Sequence, residues 1–170
     1  LWDVAAHCHE VLSQASFAHS ICGGVAVCLH GYQRNTTDVD LIIRPADGNE
    51  VRDLLESVGY RWDAERKEMV SPNGVAIQFL FSGDKAGRGS EVAISDPEGD
   101  LNVELIEGLS VVRLSRLIEM KIACGMANLR RTHKDFADVV ELIAVRKLDG
   151  SFARYLHKSL RSTYRELVRN

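Results

Sequence analysis

Residues 23–43 read GGVAVCLHGYQRNTTDVDLII, and the end of this stretch carries the decisive pattern. In a strand, side chains two residues apart point to the same face, so Asp38 and Asp40 lie side by side while Val39 and Leu41 face the core. Two carboxylates this close repel each other unless a cation neutralises them, and Mg²⁺ prefers such oxygen ligands. The structural alternative is that Asp38 caps a turn and Asp40 forms a salt bridge at the strand edge.

Two adjacent glycines, Gly23 and Gly24, open the same stretch. Glycine permits unusual φ angles and close backbone approach, and a helix that starts here exposes N–H groups able to bind phosphate oxygens. Thirteen residues lie between Gly24 and Asp38, enough for a short helix that returns to the next strand. The sequence therefore predicts a phosphate site next to a metal site, with a plain packing turn as the alternative for the glycines.

Composition is that of an ordinary globular domain. The chain has 170 residues, of which 45% are hydrophobic and 26% charged, and this suffices for a sizeable core. No segment approaches the run of about 20 apolar residues that a membrane span needs. The formal charge of −3 gives no global attraction for nucleic acid, so any phosphate contact must be local. Four cysteines without metal-ligand spacing predict reduced core thiols and a cytoplasmic protein.

The remaining patterns predict strands and helices in two blocks. Helical spacing covers residues 2–17 and 50–57, and β-compatible runs cover residues 61–70, 75–81, 91–95 and 101–107. From Leu114 onward the spacing is helical in three successive segments. We therefore expect an α/β (α+β) fold, a mixed β-sheet flanked by helices with a C-terminal helical bundle. Its parts would be an α/β core over residues 1–112 and a helical region over residues 113–170, packed on the core as one compact unit.

Taken together, these features resemble the DNA polymerase β-like nucleotidyltransferase superfamily, in which a Gly-Gly or Gly-Ser turn precedes a D-x-D or D-x-E strand. The details HG and R-x-T-x-D-V-D-L are most similar to the AbiEii toxin-type branch and to other small nucleotidyltransferase-like proteins. Lys121 in LIEMKIACG and the later RRTHKDFADVVELI are similar to that branch's lysine helix and K-D-x-x-D helix. The resemblance covers residues 20–145.

This resemblance implies nucleotidyl transfer from a nucleoside triphosphate (NTP), with Mg²⁺ or Mn²⁺ as the cofactor. Asp38 and Asp40 would hold the metal, Gly23 and Gly24 would bind the phosphates, and Lys121 would neutralise charge on the leaving pyrophosphate. The hydroxyl acceptor would be RNA, a protein or a small molecule. The branch also implies an antitoxin-like protein as a partner.

Two further positions have two interpretations each. Arg34 either adds a second positive contact near the aspartates or is an ordinary surface arginine. Asp135 and Asp138 share one side of a helix. They either approach the nucleotide site as the K-D-x-x-D motif does, or merely pair with Lys134 and Arg131.

The family also uses a third carboxylate from a neighbouring strand, and its expected position falls on Gln78. Glutamine offers a carbonyl oxygen to a metal, but it carries no charge and cannot act as a general base. Glu104 either replaces the missing acid as a metal ligand or forms a salt bridge at a strand edge. We expect a protein that binds NTP and Mg²⁺ and, if active, transfers a nucleoside monophosphate. The alternative is a catalytically degenerate relative that acts as a nucleotide-binding or protein-interaction module.

Overall fold

The computed structural model describes residues 1–169. Its strands are β1 (His19–Cys22), β2 (Asp38–Ile43), β3 (Arg61–Asp63), β4 (Glu68–Val70), β5 (Ala76–Phe81), β6 (Val103–Ile106) and β7 (Leu109–Val112). Its α-helices are α1 (Trp2–Gln14), α2 (Gly23–Leu29), α3 (Gly48–Ser57), α4 (Leu114–Ala127), α5 (Leu129–Arg146) and α6 (Arg161–Val168). Short 3₁₀ helices cover Pro45–Asp47, Gly150–Tyr155 and Lys158–Leu160.

The strands join in one mixed sheet with the order β3-β4-β5-β2-β1-β7-β6. The central strand β2 runs parallel to β5 and antiparallel to β1, and β1 runs parallel to β7. The outer pairs β3/β4 and β6/β7 are antiparallel. This mixed α/β architecture confirms the predicted fold class.

Hydrophobic cores lie on both faces of the sheet. On one face, Val39 and Leu41 of β2 pack with buried residues of α1 and α3. On the other face, Ile42 packs with α4, α5 and α6, including the buried Leu117 and Tyr164. The alternation along β2 therefore sends its aspartates to the face that α4 and α5 cover in part.

Helices α4 and α5 form a closely packed hairpin. The hydroxyl of Thr132 donates to the carbonyl oxygen of Gly125 at 2.7 Å, which ties the start of α5 to the end of α4. A Cβ on Gly125 would press against the ring of Phe136, so glycine allows this approach. The hairpin follows directly on β7, with one residue, Arg113, between them.

The structure differs from the predicted elements in several places. Residues 61–70 form a hairpin of two short strands, where one strand was predicted, because the side chain of Asp63 accepts the N–H groups of Glu65 and Arg66 and turns the chain. Residues 91–95 form no regular strand. Their buried Val92 and Ile94 pack toward the helical face, which accounts for the alternating pattern.

The strand β7 was missed, because its turn at Glu107 and Gly108 lacks the usual Asn-Gly or Asp-Gly sequence. Both residues have positive φ, +52° and +77°, as a tight two-residue hairpin turn requires. The single helix predicted after residue 150 is instead two 3₁₀ helices followed by α6. The chain breaks there because the N–H of His157 donates to the buried carboxylate of Glu119.

The cysteines Cys8, Cys22, Cys28 and Cys124 all carry free thiols, as predicted. No helix within residues 1–169 is both long and apolar enough to cross a membrane.

Candidate functional site

Asp38 and Asp40 stand side by side at the start of β2, on the sheet face that α4 and α5 partly cover. Both side chains are half-buried. Burial raises the pKa of Asp40, and the neighbouring charge of Asp38 raises it further. The nearby cations Lys121, Arg131 and Lys134 act in the opposite direction. The net upward shift of the pKa means that these cations do not offset the combined effect of burial and the charge of Asp38.

The glycine turn between β1 and α2 lies directly against this pair. Gly23 has a φ of +62°, and a Cβ on it would overlap Oδ2 of Asp40. A Cβ on Gly24 would overlap the hydroxyl of Thr36 and lie 3.3 Å from Nη1 of Arg34. The structure thus brings the predicted phosphate turn and the predicted metal ligands together, and both glycines are required by close contact.

Lys121 on α4 is buried, with 6% of its surface exposed. Its ammonium lies 3.0 Å from Oδ1 of Asp135 and 2.8 Å from Oδ2 of Asp138, and both carboxylates are buried on α5. Two carboxylates therefore already compensate the charge of Lys121. Its predicted contact with pyrophosphate would have to use the third N–H of the ammonium or open one of these ion pairs.

The two carboxylates of α5 each have a second cation. Arg34 donates two parallel hydrogen bonds to Asp138, from Nε to Oδ1 at 2.7 Å and from Nη2 to Oδ2 at 3.0 Å. Arg131 donates from Nε to Asp135 at 3.0 Å. The result is an alternating series of ion pairs, Arg34–Asp138–Lys121–Asp135–Arg131, that joins the β1–β2 connection to α4 and α5.

The second interpretation of Asp135 and Asp138 therefore holds in part. Both acids form ion pairs, and Asp135 does so with the predicted Arg131. Their approach to the nucleotide site stays a prediction. The partner they share is Lys121, whereas Lys134 forms no ion pair within the described chain. Arg34 is likewise a structural link to α5 that lies beside Gly24.

Gln78 occupies the register position directly opposite Asp40, on β5. Its side-chain amide donates from Nε2 to Oε2 of Glu68 on β4, at 3.3 Å. Glu68 is 6% exposed, and its nearest cation is the exposed Arg66 at 3.9 Å. Sequence reasoning missed this buried acid, because the strand that carries it was predicted as part of a longer one.

Glu104 does not join the aspartate pair. It lies on the edge strand β6, which β7 and β1 separate from β2. At the usual spacing of strands this is a separation of about 14 Å. Glu104 instead lines a cavity on the far side of the sheet together with His9, His19 and Arg113.

Within residues 1–169, no cluster of three or more His, Cys, Asp or Glu side chains is arranged to hold a metal ion. The available metal donors at the site are therefore the two carboxylates of β2. Mg²⁺ commonly binds through one or two carboxylates and completes its shell with water and substrate phosphates. The donor set fits a cation that arrives with a phosphorylated ligand.

Sequence comparisons identify no relatives: no family model matches the chain, and no curated protein sequence matches it. Solved structures, in contrast, share its fold. The chain superimposes with a TM-score of 0.58 on the antibiotic-resistance factor ANT(2'')-Ia in complex with adenylyl-2''-tobramycin, at 13% identity over 94% of this chain and 93% of that one.

Two further structures give similar scores. A candidate nucleotidyltransferase from Thermotoga maritima has a TM-score of 0.57 and 14% identity, over 81% of this chain and 92% of that one. An antigenic nucleotidyltransferase-like protein from Paracoccidioides brasiliensis has a TM-score of 0.56 and 20% identity, over 84% and 74%. At these identities the comparison establishes the fold, which is nucleotidyltransferase-like.

Proposed function

We propose that this protein binds a nucleoside triphosphate together with Mg²⁺ or Mn²⁺ at the aspartate pair of β2. The observation that carries the proposal is the contact between Gly23 and Asp40. One nucleotide can use a phosphate-binding turn and a pair of metal ligands at once only if the two are neighbours. The nucleotidyltransferase-like fold supports the same conclusion.

In this proposal Asp38 and Asp40 hold the cation, and the backbone at Gly23 and Gly24 binds phosphate oxygens. Burial and the neighbouring charge of Asp38, which together raise the pKa of Asp40, both favour a cation at this place. When bound, the metal would neutralise charge on the triphosphate. The series of ion pairs from Arg34 to Arg131 would keep the helices in position over the nucleotide.

Transfer of a nucleoside monophosphate to a hydroxyl is the reaction that such a site would support. A bond forms between the acceptor oxygen and the α-phosphorus, the bond to pyrophosphate breaks, and the proton of the hydroxyl passes to solvent water. The complex of ANT(2'')-Ia contains an adenylylated small molecule, in line with a hydroxyl acceptor for this fold. For the present chain, RNA, a protein and a small molecule are the acceptors to test.

A second candidate function is nucleotide binding without transfer. Gln78 stands opposite Asp40 and cannot accept the proton of the acceptor hydroxyl. Lys121, which would neutralise the leaving group, is already paired with two carboxylates. A protein of this kind would act as a sensing or interaction module, and the AbiEii-type resemblance adds an antitoxin-like protein as its proposed partner.

Ligand-induced stabilisation tests nucleotide binding. The melting temperature should rise with an NTP in the presence of Mg²⁺ or Mn²⁺, because a ligand that binds only the folded state stabilises it. The rise should disappear in Asp40→Asn. It should persist in Asp53→Asn, which removes an exposed carboxylate from α3 on the other side of the sheet. If no NTP stabilises the wild type with either metal, the proposal is wrong.

Transfer is then tested separately with NTPs labelled at the α-phosphate. Label that appears on RNA, on protein or on a small hydroxyl compound, and is lost in Asp40→Asn, would establish the enzyme. Stabilisation by NTP without any label transfer would favour the degenerate module.

A further inference from the structure

The positive charge that a ligand can reach at this site does not come from Lys121, which is buried and neutralised. It comes from side chains around the junction of α4 and α5. The charged ends of Arg88, Arg130 and Lys134 are exposed and form no hydrogen bond or ion pair with any residue in the range 1–169. Arg131 pairs with Asp135 but remains 53% exposed.

Three of these cations line one cavity. Arg88, Arg130 and Arg131 surround a space of about 550 Å³, together with Cys124 and Asn128. A space of this size accommodates several phosphate groups or a phosphorylated nucleoside. Arginine is also well suited to phosphate, because its planar guanidinium can donate two parallel hydrogen bonds.

The loop that carries Arg88 is fixed against α4. A Cβ on Gly87 would overlap the carbonyl oxygen of Ala123, so the backbone of the loop touches the helix there. The thiol of Cys124 donates to the carbonyl oxygen of Ala86 at 2.7 Å. Arg88 therefore extends from an anchored backbone.

The start of α5 contributes little by itself to anion binding. The side-chain oxygen of Asn128 accepts a hydrogen bond from the N–H of Arg130. The backbone carbonyl oxygen of Asn128 accepts hydrogen bonds from the N–H groups of Arg131 and Thr132. With these donors satisfied inside the protein, the arginine side chains must supply the binding.

The cavity and the glycine turn are linked to α5 at different positions along the helix. Along α5, Asp138 is linked to Arg34 beside Gly24, whereas Arg131 borders the cavity. Seven residues of helix separate these two positions, a distance of about 10 Å. A second substrate in the arginine cavity would thus lie about 10 Å along α5 from an NTP held at the glycine turn, next to Arg131, whose charge also acts on Asp40.

We propose that the arginine cavity binds phosphate groups of the acceptor, so that the acceptor is a phosphate-bearing molecule and not a neutral or cationic one. This proposal rests on the proposed nucleotide site for its role, but the binding itself does not require a nucleotide or a metal. Phosphates of this kind occur in an RNA strand and in small phosphorylated compounds, which the experiment must distinguish.

The test measures binding with EDTA present and without NTP. A short fluorescein-labelled single-stranded RNA is followed by anisotropy over a range of salt concentrations, and sodium tripolyphosphate is titrated by calorimetry. The test variant is Arg88→Gln/Arg130→Gln, which spares the structural ion pair of Arg131. The matched control, Arg61→Gln/Lys67→Gln, removes two exposed positive charges from the β3–β4 hairpin at the far edge of the sheet.

We expect the test variant to weaken RNA binding about tenfold. The slope of the logarithm of the binding constant against the logarithm of the salt concentration should fall in magnitude by roughly 1.4, since each phosphate contact on a single strand contributes roughly 0.7. The control should bind like the wild type. If tripolyphosphate alone binds and depends on the two arginines, the proposal holds with a small phosphorylated acceptor.

If neither probe binds, or if the control weakens binding as much as the test variant, the proposal is wrong. Asp40→Asn separates this outcome from a failure of the nucleotide site. That variant should lose stabilisation by NTP and metal while it keeps RNA binding, because it retains all the arginines. If NTP did not bind the wild type, RNA binding at the arginine cavity would be unaffected, because that assay contains neither NTP nor metal.

Discussion

At the scale of single residues, Asp40 is an acidic side chain whose charge the folded protein disfavours. Its carboxylate lies against Gly23 and beside Asp38, and burial and that neighbour raise its pKa. The folded protein therefore holds the charged form less favourably than the unfolded chain does. Such a position is useful when a cation arrives to relieve the repulsion.

We predict that Asp40→Asn stabilises the protein at neutral pH while it abolishes stabilisation by NTP and metal. Removal of a charge that is disfavoured by burial and by Asp38 should contribute about 1 kcal/mol, which corresponds to a rise in Tm of about 2–4 °C for a chain of this size. Thermal unfolding followed by circular dichroism measures the change. Asp53→Asn serves as the control, with Tm and ligand response both close to wild type.

The sign of the pH dependence follows from the raised pKa. Because folded Asp40 binds its proton more tightly than the unfolded residue, this residue's contribution to stability falls as pH rises from the ordinary value of 3.8 through the raised pKa. The Asp40→Asn variant has no such loss, because its amide does not titrate. The difference in Tm between variant and wild type should accordingly be largest at neutral pH and shrink toward pH 3.8. A difference that is constant with pH would contradict this explanation.

Lys121 provides the second prediction at this scale. Lys121→Met leaves the buried Asp135 and Asp138 with one arginine each, and we expect a loss of about 3 kcal/mol in the free energy of unfolding. Urea denaturation measures it. Lys134→Met removes an exposed cation from α5 and should change the free energy by less than about 0.5 kcal/mol. If Lys121→Met kept full stability and lost only NTP binding, the ammonium would face the ligand after all.

At the scale of elements, the junction of β1 and α2 depends on glycine for two reasons, and a pair of variants separates them. Gly23 and Gly74 both have positive φ, +62° and +84°, but no atom lies within 4 Å of a Cβ on Gly74. Gly74→Ala should therefore cost only backbone strain, about 1–2 kcal/mol. Gly23→Ala adds the overlap with Asp40, and the loss should reach about 3 kcal/mol or more.

The measurement is urea denaturation of both variants, followed by the NTP stabilisation assay. Gly74→Ala should retain the shift in Tm with NTP and metal, whereas Gly23→Ala should lose it because Asp40 is displaced. Equal losses of stability in the two variants would show that contact with Asp40 is unimportant at Gly23.

The sequence was sufficient for the elements whose patterns are local. The alternation of β2, the adjacent glycines of α2 and the helical spacing of α4 and α5 follow from neighbouring residues, so the fold class and the closeness of the glycine turn to the aspartates were predictable. The features that depend on contacts between distant residues were not predictable from the sequence. The partners of Lys121 lie 14 and 17 residues further along the chain, and the buried Glu68 becomes significant only when β4 pairs with β5 beside Gln78.

Periodicity made Glu104 a candidate metal ligand, and strand order excludes it. Its alternating pattern in β6 is the same whether the strand lies next to β2 or at the sheet edge. Periodicity identifies a face and gives no information on which strands are neighbours. Only the pairing of β1 with β7 moves β6 away from the aspartates.

At the scale of the whole molecule, the sheet carries one core on each face, and both cores share its central strands. Ile42 of β2 packs with α4 and α5, while its neighbours Leu41 and Ile43 pack with α1 and α3. A disturbance in the helical region should therefore reach the α/β core directly. We expect the predicted regions 1–112 and 113–170 to unfold together.

Leu117→Ala tests this cooperativity. Leu117 is buried on α4, and its truncation should lower the free energy of unfolding by about 2–5 kcal/mol. Both tryptophans, Trp2 and Trp62, lie in residues 1–112, so their fluorescence reports on the α/β core, while circular dichroism reports on all helices. In one cooperative unit the two signals shift by the same amount in urea, with a single transition.

The matched variant Met69→Ala creates a cavity in the core on the opposite face, among residues of the α/β core alone. It should also shift fluorescence and circular dichroism together. If Leu117→Ala moved only the circular dichroism transition, the helical region would unfold independently of the sheet. The Arg34–Asp138 link between the β1–β2 connection and α5 argues against that outcome, because independent unfolding of α5 would leave the half-buried Arg34 without its carboxylate.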